Sequence, residues 1–313
     1  MADSVLKELT SSSLFDLTGV VAVVTGGGTG IGLMITTTLI ANGASVYIIG
    51  PKQQDLDEIA KVYNDAAEKE NKPGRIFGIQ GDIRSKSEAL RLAAEVGKRE
   101  QHVTVLFNNA GITTTPFKTP TEAKAEAFVK AYFDEVTEED FDQAVTTNAV
   151  GPYWLTFAFL PLLEKWKSSP GGERFAPQIV MTSSVNGWTK DPATSGNSFP
   201  YMYSKSAIGH ATASLAHELL PLGVRVNGIA PGLFITEMSS PGRINALGQS
   251  HLPPGTAFRL KVPVSGPVAQ GQQRAGTNRD MGALVLFLVA NWFVDGETVL
   301  IDGGTLLQYP SSY

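Results

Sequence analysis

The sequence predicts an α/β protein: a doubly wound parallel sheet of about seven strands with helices on both faces. Three observations carry that expectation. Short β-branched runs alternate with longer periodic segments along the 313 residues, and strand–helix alternation repeated this often implies parallel strands joined by crossover helices. The runs are continuously apolar, as strands covered on both faces must be. Glycine is enriched, 32 of 313, where many strand-to-helix turns need positive φ or close backbone approach to a ligand.

Taken in order, residues 1–16 read as a polar arm and 17–313 as one domain. The first strand is expected at Val20–Val24 and feeds Thr25-Gly-Gly-Gly-Thr-Gly-Ile-Gly32, after which a helix opens at Ile31 and stops at Asn42-Gly43. Further strands are expected at Val46–Ile49, Ile76–Ile79, Val103–Phe107, Gln178–Thr182, Val224–Ile229 and Thr298–Ile301. Ser85-Lys-Ser-Glu88 and Thr137-Glu-Glu-Asp140 have the form of helix N-caps. Thr113–Glu135 is longer than a bare connection needs, and 122–132 within it could be helical. The Pro/Gly stretch 168–177 reads as a surface turn. The longest connection, 239–276, is expected to be a lid or substrate loop.

Composition narrows the function. A net charge of −5 argues against nucleic acid as main partner, since phosphate neutralisation needs clustered Lys and Arg. The longest apolar run, Leu284–Phe293, is broken by Asn291 and is too short to span a bilayer. With no cysteine, disulfides and thiolate chemistry are excluded. The four histidines lack metal-ligand spacing, so no metal is expected. The opening residues do not form a secretory signal, which makes the cytoplasm the default.

Two motifs carry chemistry. The glycine string follows a buried strand and opens a helix, a context in which free N–H groups and the helix dipole meet a pyrophosphate. Far downstream, Tyr201-Met-Tyr-Ser-Lys205 puts a phenol and an amine four apart, on one helix face. Lys⁺ beside Tyr favours the phenolate, whose free pKa of ~10 must fall by ~3 units to work near neutrality. Tyr203, two positions along, points elsewhere.

With Asn108-Asn-Ala-Gly111, Asn148 and Ser184 between them, these motifs closely resemble the short-chain dehydrogenase/reductase family, in its short, 3-oxoacyl-reductase-like branch. The resemblance runs from about Leu17 to Gly304 and implies a Rossmann-type fold and hydride transfer between a nicotinamide cofactor and a carbonyl or secondary alcohol. It implies Tyr201 as general acid/base and Ser184 as holder of the substrate oxygen, with Ser183 a structural neighbour. Lys205 would bind the nicotinamide ribose, and Asn148 would hold a water in the relay to Lys205. Asn148 reads equally as a helix-kink residue.

For the cofactor, the resemblance implies contacts from Thr25, Gly26, Gly28, Thr29, Gly30 and Ile31, and from Asp82 and Ile83 at the adenine. Asn109, Ala110 and Gly111 would pass along the dinucleotide, although the Asn pair could also simply brace the sheet. Pro231, Gly232 and Thr236 would hold the nicotinamide end, together with Tyr201 and Lys205. No acidic residue follows the second strand, and Lys52 sits just beyond it, so NADP(H) is favoured over NAD(H). Lys52 could equally be a solvated loop lysine.

Ser184 and Tyr201 stand 17 apart, longer than the family's usual spacing, so the insert around 189–200 should bulge and shape an unusual pocket wall. Trp188 and Phe199 beside it, and Ile244, Leu247, Leu252, Phe258 and Leu260 in the lid, suggest a hydrophobic, aromatic-lined pocket for a fatty or polyketide-like ketone. The family also implies a homotetramer or homodimer, joined through the two long helices beginning near Thr137 and Tyr201 and the C-terminal strand segment. Phe141, Val145, Tyr153, Trp154 and Phe157 overload the first of these with apolar side chains, unless the 113–135 insert caps that face. Two rival readings keep the fold: a non-redox acid–base enzyme, and a non-catalytic module that senses the cofactor.

Overall fold

The computed structural model describes residues 2–114, 117–169, 174–196, 198–252, 262–263 and 275–313. Seven strands, β1 (Val21–Thr25), β2 (Ser45–Gly50), β3 (Arg75–Gln80), β4 (Val105–Asn108), β5 (Gln178–Thr182), β6 (Arg225–Pro231) and β7 (Thr298–Ile301), form one sheet in the order β3-β2-β1-β4-β5-β6-β7. Every pairing is parallel. The central strands β1, β4, β5 and β6 are buried along their whole length, as continuous apolar runs require.

Side chains alternate between two cores. Ala22, Val24, Val46, Ile48 and Phe107 face one side, with Ile35, Leu39, Leu56, Val285 and Leu288 packed on them. Val21, Val23, Tyr47, Ile49 and Leu106 face the other, against Leu92, Leu155, Phe159 and Ile208. The helices among the described residues are α1 (Ala2–Glu8), α2 (Ser11–Leu14), α3 (Gly30–Ala41), α4 (Gln53–Lys69), α5 (Lys86–Gly97), α6 (Ala125–Tyr132), α7 (Glu138–Val145), α8 (Gly151–Glu164), α9 (Phe199–Leu219), α10 (Asn278–Ala290) and α11 (Thr305–Gln308). Thus α3, α4 and α10 cover one face, and α5, α8 and α9 the other.

Local chemistry sets the ends. Ser85 Oγ accepts from the Glu88 amide, and Thr137 and Asp140 form a reciprocal capping box. Gly43, at φ 105°, turns the chain out of α3. Between α7 and α8 the helix widens into a π turn at Thr146–Val150. Pro152 has no N–H to give the carbonyl of Asn148, four residues back, so the regular ladder fails at that point.

Some expectations are corrected. Residues 2–14 are not merely a polar arm: α1 exposes Val5 and Leu6, and α2 exposes Leu14. The helical part of the 113–135 insert is confined to 125–132. Most of the expected lid, with Phe258 and Leu260, lies outside the described residues. No described helix is long and apolar enough to cross a membrane.

Candidate active site

Strands β1 to β6 bring their C-terminal ends to one cleft of about 1890 Å³, the place where open parallel sheets bind ligands. At the β1 end the backbone turns at Gly26, with φ 64°, and α3 follows so closely that a Cβ on Gly32 would lie 2.0 Å from the Gly26 carbonyl oxygen. Only glycine fits there. Gly26, Thr29, Gly30 and Ile31 line the cleft. Across it, Thr236 from the loop after β6 sits over Gly30, where an added Cβ would come within 3.2 Å of its side chain. Pro231 and Gly232 line the same end.

Other expected residues brace the site instead. Thr25 is buried; its Oγ1 accepts from the Asn109 and Ala110 amides, both at 3.0 Å. Asn109 Nδ2 donates back to the Thr25 carbonyl at 3.0 Å. These bonds hold the end of β4 against β1 and set Asn109, Ala110 and Gly111 along the cleft. Asn108, fully buried, donates towards the Pro152 carbonyl and Thr156 Oγ1. Thr25, Gly28 and Lys52 are not among the cleft-lining residues; Lys52 is exposed at the start of α4, between Pro51 and Gln53, which do line it.

At the opposite end, Asp82 and Ile83 border the cleft. Asp82 is gripped by Arg84, whose Nε and Nη2 donate to its two oxygens at 2.9 and 2.7 Å, and that hydrogen-bonded cation holds the carboxyl below its ordinary value. Arg84 Nη1 also donates to Gln143 at 2.7 Å. Sequence reasoning missed Arg84; its signal was a cation two positions after the strand-end Asp.

The candidate chemical centre lies where β5 and α9 meet. Ser198, itself fully buried, caps α9 by accepting from the Tyr201 amide at 3.2 Å. The cap fixes the first turn, from which Tyr201 enters the cleft. Ser184, just past the end of β5, lines the cleft with Tyr201 and accepts from the Asn186 amide at 3.2 Å. Lys205, 4% exposed, stands one turn on with Nζ 5.8 Å from the Tyr201 ring centroid. Its ammonium donates to the Thr182 carbonyl at 2.9 Å. Ser183 turns away and donates to the Lys205 carbonyl at 2.7 Å, a bracing role.

Burial dominates the electrostatics. It pushes the Lys205 amine down to about 8 and the Tyr201 phenol up, with Ser184 pulling the other way. Desolvation penalises the charged form of both groups. Both shifts favour the uncharged forms, so the Tyr201 phenol is protonated near neutrality. Tyr203 is 59% exposed and packs on Phe141 and Phe199.

Asn148, in the π turn, is buried and outside the cleft lining. Its Oδ1 accepts from the Ile112 amide and its Nδ2 donates to the Ile112 carbonyl, both at 2.8 Å, and to Ser204 Oγ at 2.9 Å. A Cβ on Gly111 would lie 3.0 Å from Asn148 Oδ1 and 3.2 Å from Lys205 Nζ, so all three meet at one point.

The insert supplies Ala193, Thr194, Ser195 and Gly196 to the wall, and Thr194 Oγ1 donates to Asn186 at 2.7 Å. The aromatic lining expected there does not form. Trp188 packs on Tyr313, Phe199 packs on Tyr132 and Tyr203, and neither borders the cleft. Ile244 and Leu247 are exposed.

The comparisons with known proteins agree with this geometry. The family profile described as short chain dehydrogenase matches residues 20–245. The chain is 33% identical to the short-chain dehydrogenase/reductase VdtF of Byssochlamys spectabilis, over 98% of this chain and 99% of that one. It is 34% identical to the short-chain dehydrogenase/reductase PhomF of Diaporthe leptostromiformis, over the whole of both. Among solved structures, the Pseudomonas aeruginosa RhlG/NADP active-site complex superposes with a TM-score of 0.68 at 26% identity, over 93% of this chain and 98% of that one.

Proposed function

The chain belongs to the short-chain dehydrogenase/reductase family, whose members act on CH–OH and C=O groups, and from that premise we propose that it transfers a hydride between NADP(H) and a ketone or secondary alcohol with Tyr201 as general acid/base. The observation that carries this reading is the meeting of Ser184, the buried Tyr201 and the buried Lys205 at the cleft. A buried, protonated phenol with a serine hydroxyl in the same cleft is a proton donor with an anchor for the substrate oxygen beside it.

The residues present fit the dinucleotide. Gly26 and Gly32 leave no room for side chains where the backbone must approach a pyrophosphate, and the α3 N-terminus faces the same space. Thr29, Gly30 and Ile31 would hold the phosphates, Asp82 and Ile83 the adenine end, and Thr236 the nicotinamide end. When bound, the nicotinamide supplies or accepts the hydride. In reduction, Ser184 Oγ holds the carbonyl oxygen and Tyr201 gives it the proton as negative charge develops there. Lys205, fixed by the Thr182 carbonyl, places a positive charge beside the phenolate left behind. Asn148 keeps Lys205 and Gly111 in register through Ile112 and Ser204.

NADP(H) is favoured because no carboxylate stands at Gly50–Gln53 to bind a ribose 2′-hydroxyl and repel a 2′-phosphate; an NADP complex of a relative 26% identical supports it. A panel of ketones followed at the reduced-cofactor absorbance band tests the whole reading. Turnover with a lower KM for NADPH than for NADH is the expected result. An NADH preference would sink the cofactor assignment, and no oxidation of either cofactor would sink the redox reading.

A further inference from the structure

The connection from Ser184 to the Tyr201 helix forms part of the cleft wall, and a segment far away in sequence holds it. Thr189 and Ser311 face each other across an antiparallel bridge. The Lys190 amide donates to the Pro310 carbonyl at 2.7 Å, and the Ser312 amide donates to the Trp188 carbonyl at 2.8 Å. Ser312 Oγ adds a bond to the same carbonyl at 3.1 Å. The Tyr313 ring meets the Trp188 indole edge-on, centroids 5.3 Å apart, while its hydroxyl donates to the Thr298 carbonyl of β7 at 2.8 Å.

The other side of Trp188 rests on the catalytic helix. A Cβ on Gly209, one turn past Lys205, would lie 3.0 Å from the indole. A Cβ on Gly187 would lie 2.8 Å from the Lys205 carbonyl. Trp188 is thus packed between Tyr313 and α9, and the short turn Val185–Gly187, which Ser184 caps, is pressed onto Lys205. A three-residue turn has few bonds of its own with which to fix a side chain.

We propose that segment 309–313 is a positioning element for the reaction: by clamping Trp188–Lys190 against α9 and β7, it sets where Ser184 stands relative to Tyr201. The proposal rests on the roles given above to those two residues. Ser312 and Tyr313 themselves touch no substrate; they act through Trp188. A displacement of ~1 Å at a reacting group costs about 100-fold in rate, so loss of the clamp is read in turnover.

The test compares the parent with a chain ending at Gln308, with Tyr313→Ala and with Tyr313→Phe, which keeps the ring. Hydrogen exchange over residues 185–196, NADPH affinity, kcat and substrate KM are measured. In the shortened chain, exchange in 185–196 should rise at least tenfold while β5 and α9 stay protected. NADPH affinity should stay within threefold and kcat fall at least tenfold. Tyr313→Ala should show the same pattern in smaller degree, and Tyr313→Phe should remain within threefold of the parent throughout. Unchanged exchange in 185–196 would overturn the proposal. So would a loss of protection across the whole sheet together with NADPH affinity, which would make the segment a general staple. If the shortened chain does not fold, Tyr313→Ala carries the same decision. If the parent reduces no ketone, the redox reading fails and the exchange result alone decides the clamp.

Discussion

At the residue scale, Tyr201 and Lys205 are a pair that burial has made neutral-seeking. Tyr201→Phe removes only the proton, so turnover should fall by about two orders of magnitude or more, while NADPH binding, measured by fluorescence titration, stays within threefold. Near-normal turnover would refute the assignment, and Tyr203→Phe should be mild because that ring lies outside. Lys205 gives a stability signature. Its folded value of about 8 lies below its ordinary 10.5, so between those pH values the unfolded chain holds a proton that the folded one has released. Stability from this group therefore rises with pH across that window. From pH 7 to 9.5 the parent should gain about 2 kcal/mol on a Lys205→Met variant, at ~1.4 kcal/mol per unit. Denaturant melts at the two pH values read it directly, and an unchanged gap would show that the amine is not desolvated. Keeping below pH 10 avoids Tyr201, whose raised value works in the opposite direction above that point.

This pair was legible in the sequence because a four-residue spacing on a helix start fixes two side chains on one face. The choice of Ser184 over Ser183 rests on the family resemblance, since alternation at a strand end says only that the two face opposite ways. Trp188 and Phe199 were misplaced for the matching reason. Nearness in sequence to a catalytic residue does not say which side of a non-repeating turn a ring will take. The Arg84–Asp82 fork was passed over because a cation two positions after an Asp is a weak signal: nothing local requires those two side chains to curl together.

At the element scale, the helix starts were the most readable parts. The Thr137 box satisfies two amide donors that would otherwise be orphaned at the α7 N-terminus. Thr137→Ala should cost about 1 kcal/mol, read as a lower denaturant midpoint with the slope unchanged. A shift below a few tenths of that would mean that α7 is held by its packing on α9 alone. The π turn went unread, although its cause was in view: Pro152 in an otherwise helical stretch. Boundaries moved modestly, with β4 ending at Asn108 and β6 running on to Pro231, because strands last as long as the neighbour offers partners.

At the scale of the whole molecule, alternation alone gave the parallel sheet, whereas the strand order depends on pairings between segments far apart in the chain. One open choice concerns the face carrying Tyr153 and Phe157, which are 49% and 38% exposed. The 113–135 insert does not hide them; its helix α6 instead packs Tyr132 onto Phe199. Two aromatic rings in tilted contact, centroids 4.9 Å apart, left facing water favour self-association, each Å² buried contributing roughly 25 cal/mol before association costs. Light scattering at micromolar concentration should give a dimeric or tetrameric mass. Tyr153→Lys with Phe157→Lys should shift it to the monomer, and a monomeric parent would refute the expectation.

The bridge between Thr189 and Ser311 also has a consequence in time. A ribosome makes residues 309–313 after every strand of the sheet, and chains begin to fold while they emerge. The glycine turn, the Asn109 brace and the Tyr201 helix are all synthesised well before the segment that grips Trp188. A nascent chain stalled just short of residue 309 is therefore expected to take up the dinucleotide while turning over slowly. Affinity for cofactor and competence for chemistry would then be acquired in that order during synthesis.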